Sequence, residues 1–83
     1  MNERTAEEIA WTFSAAGDSV TEINKAKQSY ETDDEYKRRI ERNVVCLEHM
    51  KEYKKVDGTT SIWTTEDFTD INAAITAGKA KYE

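Results

Sequence analysis

The sequence predicts an all-α protein, a three-helix bundle built on a long antiparallel helical hairpin. Apolar residues recur at alternating spacings of three and four, each predicted helix begins at a capping box, and the 83 residues include three glycines and no proline. Residues at such spacings share one face of a helix, and helices without proline keep unbroken interiors. A chain of this size supports one core, so a single domain is predicted over 1–83.

The first helix is predicted to begin at Thr5, which forms a capping box with Glu8. An apolar seam then predicts one helix over 5–30. Its residues are Ala6, Ile9, Phe13, Ala16, Val20, Ile23, Lys27 and Tyr30. Glycine often ends a helix, so a break at Gly17 would make the fold a four-helix one. The seam keeps its phase across Gly17, which favours a continuous helix.

The second helix is predicted to begin at the capping box of Thr32 and Glu35 and to end near Lys55, where Asp57 and Gly58 stop it. Because the connection to the first helix is very short, the two helices should lie antiparallel. The apolar face of the second helix consists of Tyr36, Ile40, Val44, Leu47 and Met50.

The third helix is predicted to begin at Thr64, with Asp67 as its capping partner, and to fold across the groove between the first two. Its apolar face continues the same spacing to the end of the chain through Phe68, Ile71, Ile75, Gly78 and Tyr82. Gly78 either lets another helix approach closely or marks a frayed end, and fraying is the favoured interpretation.

Charge and cysteine content narrow the functional classes. The net charge is −5, but residues 1–36 carry −6, residues 37–55 carry +4 and residues 56–83 carry −3. Such a bipolar chain favours charge-complementary packing or partner steering. No apolar run approaches the roughly 20 residues that cross a bilayer. The single cysteine and the absence of a secretion-signal pattern predict a reducing, cytoplasmic location.

The sequence predicts no catalytic, metal or cofactor site. Cys46 and His49 lie three residues apart on a helix, but a thiol nucleophile also needs an orienting group and oxyanion donors. Adding Glu52 makes three metal ligands, whereas structural zinc takes four. We therefore expect a half-buried cysteine beside a surface histidine, no small-molecule substrate and no enzymatic activity.

Clusters of like charge allow two interpretations. The only basic cluster, Lys37, Arg38, Arg39 and Arg42, is interleaved with acids and is expected to pair with acids of the first helix rather than to bind nucleic acid. The acidic stretches 31–35 and 66–70 leave open an alternative function, in which the protein is a small acidic inhibitor of a host or defence protein that imitates a nucleic-acid backbone.

Trp11 is the most informative single residue, because it lies about 200° around the helix from Ile9 and so outside the seam. Either the third helix covers it, through Phe68 or Ile75, or it anchors another chain. Three further apolar residues also lie outside the seam. The sequence thus predicts a non-enzymatic domain that binds a protein partner or copies of itself. The predicted interface consists of Trp11, Val45, Ile62 and Trp63.

Parts of the sequence resemble small uncharacterised helical proteins of tailed bacteriophages. The resemblance covers about a third of the chain. It lies in the stretch from Arg4 to Ile9 and at Asn43, Val44, Leu47, Glu48, Met50, Phe68, Ala73, Ala74, Ile75, Gly78 and Lys79. It implies a virion structural part, an assembly factor or an inhibitor of a host factor, acting by binding in the host cytoplasm or in the virion. It implies no catalytic residues.

Overall fold

The computed structural model describes residues 3–83 and contains three helices that pack against one another. The helices are α1 (Ala6–Asn24), α2 (Asp33–Met50) and α3 (Thr65–Tyr82). Two strands of two residues each, β1 (Glu3–Arg4) and β2 (Lys54–Lys55), pair in parallel. The predicted all-α three-helix bundle is confirmed. The continuity of α1 through Gly17 is confirmed as well.

All three helices begin where the capping boxes predict. The hydroxyls of Thr5, Thr32 and Thr64 accept the third backbone N–H of their helices at 3.3, 3.1 and 3.1 Å. The side chain of the third helical residue accepts the backbone N–H of each cap in return. Because these contacts span only three residues, the sequence alone specifies them.

The core lies between the apolar faces of the three helices. α1 and α2 run antiparallel, and α3 begins beside the end of α2, where the Trp63 indole N–H donates to the Met50 carbonyl at 2.7 Å. At the other end of α3, the Lys81 ammonium donates to the Ile23 carbonyl. The buried apolar residues are Ala16, Ile23, Ile40, Val44, Leu47, Met50, Ile62, Trp63, Ile71, Ala74 and Ile75.

At Gly78, α3 lies close against α2. It is buried, and a Cβ placed on it would overlap the Cγ2 methyl of Val44 and lie 3.3 Å from a methyl of Ile23. The favoured expectation of a frayed end at Gly78 was therefore wrong. Its missing side chain lets the two helices meet.

α1 ends at Asn24, so the prediction that it continues to Tyr30 was wrong. Lys25 already has an extended backbone, and the last two seam residues lie outside the core. Lys27 forms an ion pair with Asp33 at 3.0 Å, and Tyr30 is 76% exposed. The spacing of three and four therefore persists in the sequence beyond the helix.

Arg39 of α2 binds the chain where α1 ends. Its guanidinium donates to both carboxylate oxygens of Glu31, at 2.8 and 3.0 Å. It also donates to the carbonyls of Glu22, Lys25 and Ala26. α1 has no basic residue in its own last turn. A cation from α2 therefore binds the Glu22 carbonyl in the last turn of α1 and two carbonyls just after it, where a helix leaves such groups unpaired.

α2 ends at Met50, five residues before the predicted end near Lys55. The chain then turns back on itself, with the Lys55 N–H bonded to the Thr60 carbonyl at 2.7 Å. Asp57 does not stop the helix but organises this turn, where its carboxylate accepts the N–H of Thr60 at 2.8 Å. The turn returns the segment after it to the bundle.

Candidate protein-docking surface

Trp11 is exposed on the outside of the bundle. Its relative exposure is 73%, whereas Trp63 is 8% exposed. The buried positions of α1 are Thr12, Ala16, Ser19 and Ile23, so the indole lies to one side of the buried face. Helix α3 therefore does not cover Trp11, which was one of the two interpretations that the sequence left open. The structure places the side chain in solvent.

Trp11 lines a groove of about 370 Å³ between α1 and α2. We call it the Trp11 groove. Val45, which is 43% exposed, stands on the α2 side. An exposed tryptophan next to an exposed aliphatic residue is typical of a docking surface. The groove is lined by Trp11, Ala15, Ser19, Val45, Cys46, His49, Met50 and Tyr53.

The structure divides the four residues of the predicted interface into two pairs. Trp11 and Val45 meet at the Trp11 groove. Ile62 and Trp63 are only 5% and 8% exposed, so the expectation that they lie outside the core was wrong. The Trp63 ring packs against Phe13, with 5.2 Å between centroids. These loop residues have no helical period that could have revealed their burial.

No family model, no curated protein and no solved structure matches the chain. Within residues 3–83, no helix is long and apolar enough to span a bilayer. The same residues hold no group of three histidine, cysteine or acidic side chains that could bind a metal ion.

Cys46 and His49 both line the Trp11 groove and are exposed. The expectation of a half-buried cysteine was wrong, because residue 46 lies at the mouth of the groove rather than under α1. None of the described residues that line the groove is a carboxylate, whereas Glu48 and Glu52 line a neighbouring depression together with His49. The pair adds contact surface to the groove.

Opposite charges flank the Trp11 groove. On α1, Asp18 follows Trp11 by two helical turns. On α2, Arg42 precedes His49 by two turns. Asp18 and Arg42 are both exposed, and within the described chain neither takes part in an ion pair. The expectation that the basic cluster pairs with acids of the first helix holds for Arg39, which lies 3.6 Å from Glu22, but not for Arg42. The spacing of two helical turns, from Trp11 to Asp18 and from Arg42 to His49, was the sequence signal that could have placed these charges beside the groove.

A second groove of about 280 Å³ separates α1 from α3. Phe13 stands at its edge and is 44% exposed, while Asp67 and Asp70 line its α3 side. The Phe13 ring already packs against Trp63, so it offers less free aromatic surface than Trp11 does. The Trp11 groove is therefore the stronger candidate for a docking site.

The acids of residues 31–35 are largely occupied within the chain. Glu31 binds Arg39, Asp33 binds Lys27 at 3.0 Å, and Glu35 caps α2. The Arg39 guanidinium, with the Gln28 N–H, lowers the pKa of Glu31 from 4.5 to about 2. A carboxylate engaged in this way is a poor imitation of a free phosphate.

Acid is expected to destabilise the fold through Glu31. The pKa of Glu31 is about 2 in the folded protein and 4.5 in the unfolded chain. Between pH 2 and pH 4.5 the unfolded chain therefore binds more protons than the folded protein does. The stabilising effect of Glu31 is thus complete above about pH 5 and is lost as the pH falls toward 2. Thermal melting followed by circular dichroism from pH 7 to 2 should show a smaller loss for Glu31→Gln than for the parent. An identical pH dependence in both proteins would contradict this expectation. The control is Glu52→Gln, at an exposed position, which should lose stability in acid as the parent does.

Proposed function

We propose that this protein is a non-enzymatic protein-interaction domain that docks a protein on the Trp11 groove. The observation that supports this most strongly is the 73% exposure of Trp11. A large aromatic side chain in water gains free energy when another surface covers it, and tryptophan is enriched among residues that dominate binding energy.

The surroundings of Trp11 support the same proposal. Val45 and the neighbouring side chains extend the apolar surface across two helices, and charged residues border it. An apolar centre with a charged rim is the usual anatomy of a protein interface. The resemblance to phage proteins extends the proposal to a structural or assembly component. The inhibitor alternative has less support, because three of the four acids in 31–35 are engaged internally.

Replacing Trp11 by alanine is expected to weaken partner binding by at least about 30-fold, since a hot-spot residue contributes about 2 kcal/mol or more. The measurement is capture of proteins from a lysate of the native source, followed by titration of each captured protein against the parent and Trp11→Ala. The helix content should not change, because the side chain is exposed.

The matched control is Tyr30→Ala, which removes an equally exposed aromatic residue, 76% accessible, that does not line the Trp11 groove. Tyr30→Ala should bind like the parent. Equal binding by Trp11→Ala and the parent would refute the proposed function.

A further inference from the structure

Two exposed charges of opposite sign lie beside the Trp11 groove, Asp18 on α1 and Arg42 on α2, and neither forms an ion pair among the described residues. α1 and α2 are antiparallel, and the Glu22 carboxylate lies 3.6 Å from the Arg39 guanidinium. Asp18 and Arg42 each lie one turn from this pair in the same direction, so they occupy the same level of the bundle. One half of this face is charged, and the other half carries the indole.

We infer that the occupant of the Trp11 groove is a second copy of this chain, related by a two-fold axis parallel to the helices; this inference rests on the proposed function. The axis lays α1 of each copy along α2 of the other. Asp18 of one copy then faces Arg42 of the other. Trp11 faces Val45 and His49 of the other copy. Every contact occurs twice, as in any isologous dimer.

Charge selects this axis over the other two-fold arrangement of the same face. An axis perpendicular to the helices would lay α1 on α1 and α2 on α2. Because that axis also reverses each helix end to end, the charged half of each copy would lie on the half of the other copy that carries the indole. Asp18 and Arg42 would then be covered by an apolar surface without an opposite charge, which is unfavourable. The parallel axis brings Asp18 of each copy against Arg42 of the other.

The face is large enough for a reversible dimer. α1 is 19 residues long and α2 is 18, so two such helices side by side present roughly 28 Å by 20 Å, or about 600 Å² in plan. Stable interfaces bury about 800 Å² per partner. A face slightly below that size, with one tryptophan anchor per copy, predicts a dimer that dissociates on dilution.

Sedimentation velocity from about 5 to 500 µM tests the inference with charge reversals. Asp18→Arg and Arg42→Glu should each weaken the dimer at least tenfold, because each places two like-charged pairs in the interface. A 1:1 mixture of the two variants should restore dimers, since both contacts of the mixed dimer again join opposite charges. Circular dichroism should show unchanged helix content in both variants, whose substituted residues are exposed.

Cys46 supplies an independent readout. It lines the groove, so a second copy should shield it, and its alkylation by iodoacetamide should slow as the protein concentration rises. The Trp11→Ala variant should remain monomeric and react at the fast rate throughout. Dimerisation of the parent, its loss in each reversed variant and its recovery in the mixture support the inference.

A parent protein that stays monomeric at 500 µM overturns the inference, as does a dimer that neither reversal weakens. A dimer strengthened by Asp18→Arg overturns the parallel axis. These failures are distinct from failure of the proposed function. If a monomeric parent still binds another protein through Trp11, the docking function stands and only the identity of the occupant is refuted.

Discussion

Replacing Arg39 by alanine is expected to lower the free energy of unfolding by about 3 kcal/mol. The Arg39 side chain is 15% exposed and the Glu31 side chain 10% exposed. Removing the guanidinium leaves a shielded carboxylate without its cation. It also leaves carbonyls at the end of α1 without their donors, and unpaired polar groups of this kind are costly.

Urea denaturation followed by circular dichroism measures the effect of Arg39→Ala. Arg39→Lys should recover part of the loss, because an ammonium restores the charge but not the fork of donors that binds Glu31 twice. Lys37→Ala, at an exposed position on the same helix, should change stability by less than about 0.5 kcal/mol. Equal stability of Arg39→Ala and the parent would show that the contacts of Arg39 do not stabilise the fold.

Gly78→Ala is expected to destabilise the fold by about 2 kcal/mol, although alanine is the better helix former by about 1 kcal/mol. The added methyl would overlap a methyl of Val44. Val44 is fully buried and β-branched, so it has no free rotamer into which it can move. Helix α3 would have to shift away from α2, loosening the contacts on both sides.

Gly17→Ala is the matched control, and its effect should have the opposite sign. A Cβ at Gly17 has nothing within 4 Å, so the substitution should stabilise the fold by about 0.5 to 1 kcal/mol through helix propensity alone. Combining Gly78→Ala with Val44→Ala should recover part of the packing lost by Gly78→Ala, because it vacates the space that the new methyl needs. Chemical denaturation of the four proteins provides the comparison. A stabilising Gly78→Ala would contradict the close approach.

The candidate site was predictable only in part. Helical phase placed Trp11 and Val45 outside the seam, because both lie within regular helices, where 100° per residue holds. The same reasoning had no basis at Ile62 and Trp63, which lie in the non-helical segment between the turn and α3. Their burial depends on the turn that brings them back to the bundle and on the hydrogen bond from Trp63 to the end of α2.

The sequence alone also could not decide the role of Gly78, although this residue lies within a helix. Its place on the apolar face was readable, but a glycine at that place fits both a close contact and a loose end. Only the position of Val44, 34 residues earlier in the chain, decides between them. The sequence spacing of the seam also continued past Asn24 to Tyr30, although the helix did not.

The sequence by itself determined the fold class, the start of every helix and the exclusion of Trp11 from the seam. Those features depend on capping contacts and periodicities within three or four residues. The tertiary structure decided where α1 and α2 end, which tryptophan is buried and which charges border the Trp11 groove. Each of these depends on contacts between distant residues, such as Arg39 with Glu22, 17 residues apart, and Trp63 with Met50, 13 apart. Such contacts exist only after the helices have packed.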